Sequence, residues 1–487
     1  MTHGVSFPVT EGSDDRSTTT TGRAVVADAL RDVDPVGALG AEQETAWRGR
    51  YLRHFRRLVE AGVATPEAWR AVAAAGLGSV RSRMVVASDD GDVPLASLAD
   101  APAGRALDTV EVRGEGDRVD ELVLPHRGRR LAGGALHRQL DEWLTNGVLE
   151  PSAAEALRAV AAHPEWLRLE GRTIAVLGAG AEMGPLRPLL GWGATVAAVD
   201  LPVAAIWERV VRTARDGAGR LVVPTASGEG ASLTERAGVD LLAEVPAVAD
   251  WLAGLEGRLL VGNYLYADGG THVRVSVAAD ALGERVCAAR PDTALGFLAT
   301  PTDVFVVPRE AVEHSTQAYA DRTATAKTLG RPLRWASRGR LLRRAYPATT
   351  ETGWGIADSL VPQQGPNYAL AKRVQRWRAT VARHEGRQVS FHVAPSTRTR
   401  SVVKNRALAA AFAGAHRFGV EVFEPDTANT LMAALLVHDL STDPVPHAHP
   451  WQDEAHAAVH GGLWRAPYEP RSALGLAAVL GYASARS

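Results

Sequence analysis

From Arg172 to Asp200 the chain moves between solid apolar runs and glycine breaks. Thr173 to Leu177 is an apolar run of the length and type of a buried strand. Gly178, Gly180 and Gly184 follow, and Leu186, Leu189 and Leu190 then fall at helical spacing. Ala194 to Val199 is a second apolar run that ends on an acid, Asp200. The pattern predicts strand, glycine turn, helix, strand and acid.

Further on, Ile206, Trp207 and Val210 predict a helix, and Leu221–Val223 a strand. Val239-Asp240-Leu241 precedes a helix carrying Val245, Val248 and Leu252. Arg258–Tyr264 reads as a strand, Ala294–Val307 as one or two strands, and Glu310–Leu329 as a helix. A helix near Tyr368 carries Leu370, Val374 and Trp377, and Gln388–Val393 reads as a strand. A last helix, capped by Asp426, runs through Leu431, Leu435 and Leu436. Strands alternating with helices over 171–445 predict an α/β fold with a doubly wound parallel sheet, enlarged by an insertion at about 271–340.

Upstream the pattern differs. Trp47, Tyr51, Phe55 and Leu58 share one face of a helix over 41–61, with Arg50, Arg53 and Arg57 on another. Thr65-Pro66-Glu67 caps a second helix, and Ser152 with Glu155 forms the capping box of another that ends near His163. Leu136–Leu144 fits a helix, and Thr109–Val112 and Glu121–Leu124 fit short strands. Residues 22–170 are therefore expected to form a helix-rich α+β domain without a catalytic motif. Residues 1–21 are polar and read as a disordered leader, and 446–487 as a tail packing near the active site.

Net charge is −1, with 46% hydrophobic and 22% charged residues, which gives no footing for nucleic acid or an anionic membrane as partner. There is no secretory signal and no apolar run of membrane-spanning length. The one cysteine, Cys287, excludes an internal disulfide and fits a reducing, cytoplasmic location.

The opening stretch has the form of a nucleotide-binding βαβ unit. Gly178 allows a sharp turn, Gly180 lets a pyrophosphate approach the backbone, and Gly184 brings the helix close to the sheet. The helix N-terminus offers N–H groups to phosphate. Asp200 can accept from both ribose hydroxyls and would repel a 2′-phosphate, so NAD is expected over NADP.

A second stretch carries Tyr368-Ala-Leu-Ala-Lys372. A tyrosine and a lysine four apart share a helix face. An ammonium there lowers the phenol toward neutrality, and the phenol can then exchange a proton with a substrate oxygen. The chain has only three lysines, so the pairing is not easily accidental.

Together these stretches resemble the short-chain dehydrogenase/reductase family over about 171–440. Gly178 and Gly184 match the family's first and last glycines, while its middle glycine falls on Glu182, beside Met183. Tyr368 and Lys372 match its Tyr-x-x-x-Lys, and Pro395-Ser396 stands where it has Pro-Gly, with Thr397 and Thr399 beyond. Asp240 sits where the family often has an acid near adenine, and Gly262-Asn263 takes the place of its Asn-Asn-Ala-Gly. The resemblance implies a Rossmann fold, an NAD(P) cofactor, hydride transfer with a small carbonyl or alcohol substrate, and a homodimer. For the family's carbonyl-polarising Ser or Thr, Ser359 lies nine residues before Tyr368 and Thr352 sixteen before.

Two other readings share the glycine turn and acid: an S-adenosylmethionine-dependent methyltransferase, and a non-catalytic NAD-binding or scaffold protein. In the tail, His456 and His460 have i, i+4 spacing, with His447 and His449 nearby; packing or a substrate lid is preferred there over a metal. His438-Asp439 reads as a helix C-terminal contact, and Cys287 as a structural thiol.

Overall fold

The computed structural model describes residues 3–10, 12–13, 15–226, 232–347 and 353–484. Seven strands make the central sheet: β1 (Asp108–Arg113), β2 (Arg172–Leu177), β3 (Thr195–Val199), β4 (Arg220–Thr225), β5 (Arg258–Asn263), β6 (Ala294–Ala299) and β7 (Val389–Val393). Their spatial order is β7-β6-β5-β2-β3-β4-β1. Strands β2 to β7 are parallel, and β1 joins β4 antiparallel. This is the doubly wound sheet the alternating pattern predicts. Its direction of winding reverses between β2 and β5, the place where such sheets hold ligands.

Parallel strands covered on both faces read as continuous apolar runs. Successive side chains then enter two separate cores. Ala175, Leu177, Leu259 and Val261 join one, and Ile174, Val176 and Leu260 join the other. Helices α1 (Thr18–Leu30), α2 (Trp47–Gly62) and α3 (Pro66–Arg83) belong to the first core. Helices α4 (Gly133–Thr145), α5 (Pro151–Ala162), α6 (Leu186–Gly191) and α7 (Ala204–Asp216) belong to the second. Helices α8 (Val245–Ala253), α9 (Gly270–Ala289) and α10 (Pro366–His384) cover the first face, with α3 packed on α10. Helix α11 (Pro425–Ser441) covers the second, packed on α5 and β7.

Several elements depart from the sequence reading. Residues 22–170 share both cores and supply the edge strand β1, so hydrophobic burial ties them to the sheet rather than to a core of their own. The expected leader contains a buried strand, Gly4–Ser6, paired with Val85–Ser88, and the start of α1, capped by Ser17. Helix α5 begins at Pro151 without a side-chain cap; Ser152 Oγ instead accepts from Ala457 N at 2.9 Å. Helix α11 likewise has Glu424, not Asp426, at its N-cap position. The 310–329 region is two helices, Arg309–Ala320 and Ala324–Ala336, the second capped by Thr323.

The extra material is also displaced. α9 and β6 are ordinary parts of the parallel winding, and the inserted hairpin Val304–Pro308 with Trp354–Asp358 stands outside the central sheet. The tail runs beside β7, where Val459 N–H donates to Val393 O at 3.0 Å. Among the described residues no helix is long and apolar enough to cross a membrane.

Candidate functional site

The glycine turn leaves β2 with Gly178 at φ +84°, a conformation side chains resist. A Cβ at Gly178 would also stand 3.1 Å from Tyr264 O. Gly180 N–H donates to Asp200 Oδ2 at 2.7 Å, and Leu201 N–H donates to Asp200 Oδ1 at 2.8 Å. The acid at the end of β3 thus holds the turn as well as facing the site. Burial pushes the Asp200 carboxyl above its usual range, and these two N–H groups oppose that shift. A Cβ at Gly180 would come within 2.6 Å of Ile206 Cγ2, so this glycine is also needed for packing on α7.

The turn is clamped from above by α11. Asn429 Oδ1 accepts from Gly184 N–H at 3.1 Å, and its amide donates to Glu182 O at 2.8 Å. The Glu182 carboxylate accepts from Arg400 N–H at 2.8 Å, which joins the segment after β7 to the turn. Met183 packs against the second core. Helix α6 is only six residues long, with Pro185 at its N-cap, so its N-terminal dipole end is weaker than the sequence reading expects. Asp240 follows Val239, whose N–H donates to Asp200 O at 2.9 Å, and its side chain accepts from Leu242 N–H at 2.9 Å.

Tyr368 lies in the first turn of α10, stacked on His272 with ring centroids 5.4 Å apart. Its phenol meets the Thr300 side chain, just past the end of β6. Burial drives this phenol above its ordinary value, and the Thr300 contact only opposes that. One turn on, Lys372 Nζ donates to Leu298 O at 3.1 Å and to Gln375 Oε1 at 3.2 Å. Burial pulls Lys372 down to about 8. The expected lowering of the tyrosine by the lysine is therefore not what the environment does: desolvation is the largest effect on each group. Gln375 continues to Asn263, which is buried and approached by Gln375 Nε2 at 3.5 Å.

Ser359 is not with them. It follows the inserted hairpin, donates its N–H to Asp303 O, and lines a small cleft with Arg56, Arg343 and Asp358. Thr352 lies outside the described residues. The hydroxyl beside Tyr368 belongs to Thr300, which sequence spacing missed because the insertion separates β6 from α10. The usable signal was its position, immediately after the apolar run of β6.

Pro395, Ser396 and Thr397 are buried beneath a neighbouring segment: Phe423 N–H donates to Ser396 O at 2.8 Å, and Thr397 Oγ1 donates to Pro395 O at 2.9 Å. Thr399 begins the short helix whose first residue, Arg400, meets Glu182. A Cβ at Gly262 would collide with the Tyr264 ring at 2.4 Å, and one at Gly296 would lie 3.5 Å from its hydroxyl. Tyr264 thus fills the space over both glycines.

The tail histidines are divided. His460 is fully buried against Glu150 at 2.9 Å, and His449 accepts from Trp451 N–H at a helix start. The helix Pro450–Ala455 ends before His456, so the i, i+4 pair is not helical. Among the described residues no group of three or more metal-ligating side chains converges. Cys287 is buried, and burial pushes its thiol up.

No family model matches this sequence, and no curated protein matches it. Two solved structures are similar to parts of it. One is a thiolation-reductase di-domain from an archaeal non-ribosomal peptide synthetase, at 11% identity over 57% of this chain and 54% of that one, with a TM-score of 0.27. The other is the terminal R domain from the myxalamid PKS-NRPS biosynthetic pathway, at 14% identity over 60% and 68%, with a TM-score of 0.30. The chain spans about half the length of the first. Likenesses this low decide neither fold nor activity.

Proposed function

We propose that this chain is an NAD(P)-dependent oxidoreductase of the short-chain dehydrogenase/reductase type, acting on a carbonyl or alcohol. The observation that supports it most is the grouping of Tyr368, Lys372 and Thr300 near the ends of β5 and β6, where an open parallel sheet holds its ligands.

The residues fit a dinucleotide best at its ribose end. Each Asp200 oxygen spends one lone pair on a backbone N–H and keeps another for a ribose hydroxyl. A carboxylate there favours NAD over NADP. A bound nicotinamide would supply the hydride. The chain supplies the proton: a phenol held neutral by burial is a donor, so Tyr368 protonates the substrate oxygen while the Thr300 hydroxyl polarises it. That protonation state favours carbonyl reduction. Lys372 and Gln375 hold the base of the phenol's helix against Leu298.

The test is calorimetry with NADH, NADPH and S-adenosylmethionine, followed by turnover on a panel of aldehydes and ketones. NADH binding that is lost in Asp200→Ala, with turnover lost in Tyr368→Phe, is the expected result. Selective S-adenosylmethionine binding would overturn the reading in favour of a methyltransferase.

One observation favours a second reading. Tyr264 fills the space over Gly262 and Gly296, and Asn429 takes the Gly184 N–H. A non-catalytic nucleotide-binding protein would tolerate this closure, and it predicts NADH binding without any hydride transfer.

A further inference from the structure

Between Asp321 and Glu351 the sequence carries eight arginines and lysines and no acid, and between Glu385 and Glu421 six and no acid. The fold brings the two stretches together. Leu342, Tyr468 and Ala473 form a small third core, with Tyr319 and Phe418 packed against it. Leu342 N–H donates to Ser472 O at 3.2 Å, and the rings of Phe418 and Tyr468 lie 6.1 Å apart. The helix Arg406–Gly414 lies directly on the helix Pro470–Ser484, where Gly414 and Gly481 leave no room for a Cβ against Ala477 and Ala410. The result is a basic lobe with a core separate from the two that cover the sheet.

Elsewhere on the molecule exposed arginines are matched. On α2, Arg50, Arg53, Arg56 and Arg57 each reach a carboxylate. In the lobe, Arg343 and Arg471 share Glu469, and Arg398 has Glu424. The other cations are different. Lys327, Arg331, Arg338, Arg340, Lys404 and Arg406 are exposed, and among the described residues none has a carboxylate within 4.0 Å. Like charges gathered in this way repel one another, and an anionic partner relieves that repulsion.

Apolar side chains stand among these cations. On the helix Ala324–Ala336, Lys327, Arg331 and Arg334 fall at i, i+4 and i+7 and share one face. Trp335, four residues after Arg331, borders that face and is 85% exposed. Leu333, Val403 and Val479 are exposed as well. Nucleic-acid bases stack on rings, and three of these four side chains are aliphatic. A protein partner needs a complementary patch of about 800 Å². A lipid surface asks only for cations at its phosphates and apolar tips at the acyl boundary, with tryptophan at headgroup depth.

We propose that this lobe docks on an anionic lipid surface, with Lys327 and Arg331 at the phosphates and Trp335 inserted beside them. The net charge of −1 conceals the lobe because all 55 acids lie outside its two acid-free stretches. The docking surface is independent of the oxidoreductase reading.

The test is co-sedimentation of the full chain with vesicles of phosphatidylcholine, alone or mixed with phosphatidylglycerol. Binding to the mixed vesicles, absent on phosphatidylcholine and lost at high salt, is the expected result. Lys327→Ala and Arg331→Ala should each weaken it about fivefold, and Trp335→Ala about tenfold. All three change exposed residues, and melting curves will show whether they fold. Arg50→Ala, at a guanidinium already matched by Glu44, should leave binding unchanged. No binding to the mixed vesicles, equal binding to neutral ones, or binding indifferent to all three changes overturns the proposal. Capture of oligouridylate or polyglutamate by a chain that ignores vesicles overturns it too, in favour of a nucleic acid or an acidic protein.

Discussion

Where the parallel strands finish, polar side chains are spent on one another: Asp200 on the glycine turn, Lys372 on Leu298 and Gln375, Asn429 on Glu182 and Gly184. Where the strands begin, a cavity of about 370 Å³ beside β7 has His392 paired with Asp439 at its floor, and Arg387 and Arg70 at its rim reach toward exposed acids. One strand pair joins the two ends. His392 is opposite Leu298 in the β6–β7 register, and Leu298 O holds Lys372. The difference teaches that likeness to a known site and room for a ligand are separate properties. The first end has the residues of the proposed proton-transfer site but a closed packing; the second has an open cavity without a familiar motif.

The largest effect that would break this comparison is at Tyr368. Tyr368→Phe keeps the ring stacked on His272 and removes the proton. Turnover of a carbonyl substrate should fall about 10²–10⁴-fold, read as loss of NADH absorbance, with NADH affinity unchanged. Unchanged turnover would leave the first end a packed core and nothing more.

Asp200→Ala should act on binding rather than chemistry. It removes the acceptor of Gly180 N–H and the proposed ribose partner together. NADH affinity should fall about 10- to 100-fold by calorimetry.

Acid should distinguish the two ends through their buried imidazoles. His272 beside Tyr368 is 1% exposed, and burial pulls it down to about 3. It stays neutral in the folded protein while the unfolded chain takes up a proton near pH 6.5, so stability falls as pH drops through 6.5 toward 3. By pH 5 this costs about 2 kcal/mol in urea unfolding, and His272→Gln should remove that part of the slope. His456→Gln, at the more open cavity, should remove less.

The parts of this molecule that were legible in sequence are those set by local pattern. Ile174 to Leu177 and Leu259 to Val261 are apolar because both faces of the sheet are covered, and the glycine turn and Thr65 cap follow from backbone geometry. What was not legible depends on long-range packing. Nothing in Thr109–Val112 says that it pairs with β4 rather than with a strand of its own domain. Ser152 and Asp426 have the chemistry of caps, but each helix starts at a proline one residue earlier. Desolvation of Tyr368 is likewise absent from a Tyr-x-x-x-Lys spacing, since it comes from the layers packed around the ring, His272 among them.

Thr300 and Ser359 give the finest division, because sequence distance favours one hydroxyl and the fold favours the other. Thr300 Oγ1 lies 2.8 Å from Thr302 Oγ1, which also accepts from Gln364 at 2.9 Å, so its hydroxyl is oriented beside the Tyr368 phenol. Ser359 Oγ is buried and has no partner. Thr300→Val preserves shape and removes one hydrogen bond to the developing charge on the substrate oxygen, about 1.4 kcal/mol or tenfold in turnover. Ser359→Ala deletes an unsatisfied buried hydroxyl and should leave turnover intact and stability equal or slightly higher. If instead Ser359→Ala lost activity and Thr300→Val did not, the hairpin would have to close over α10 during the reaction, and the grouping of Thr300 with Tyr368 would be a feature of packing alone.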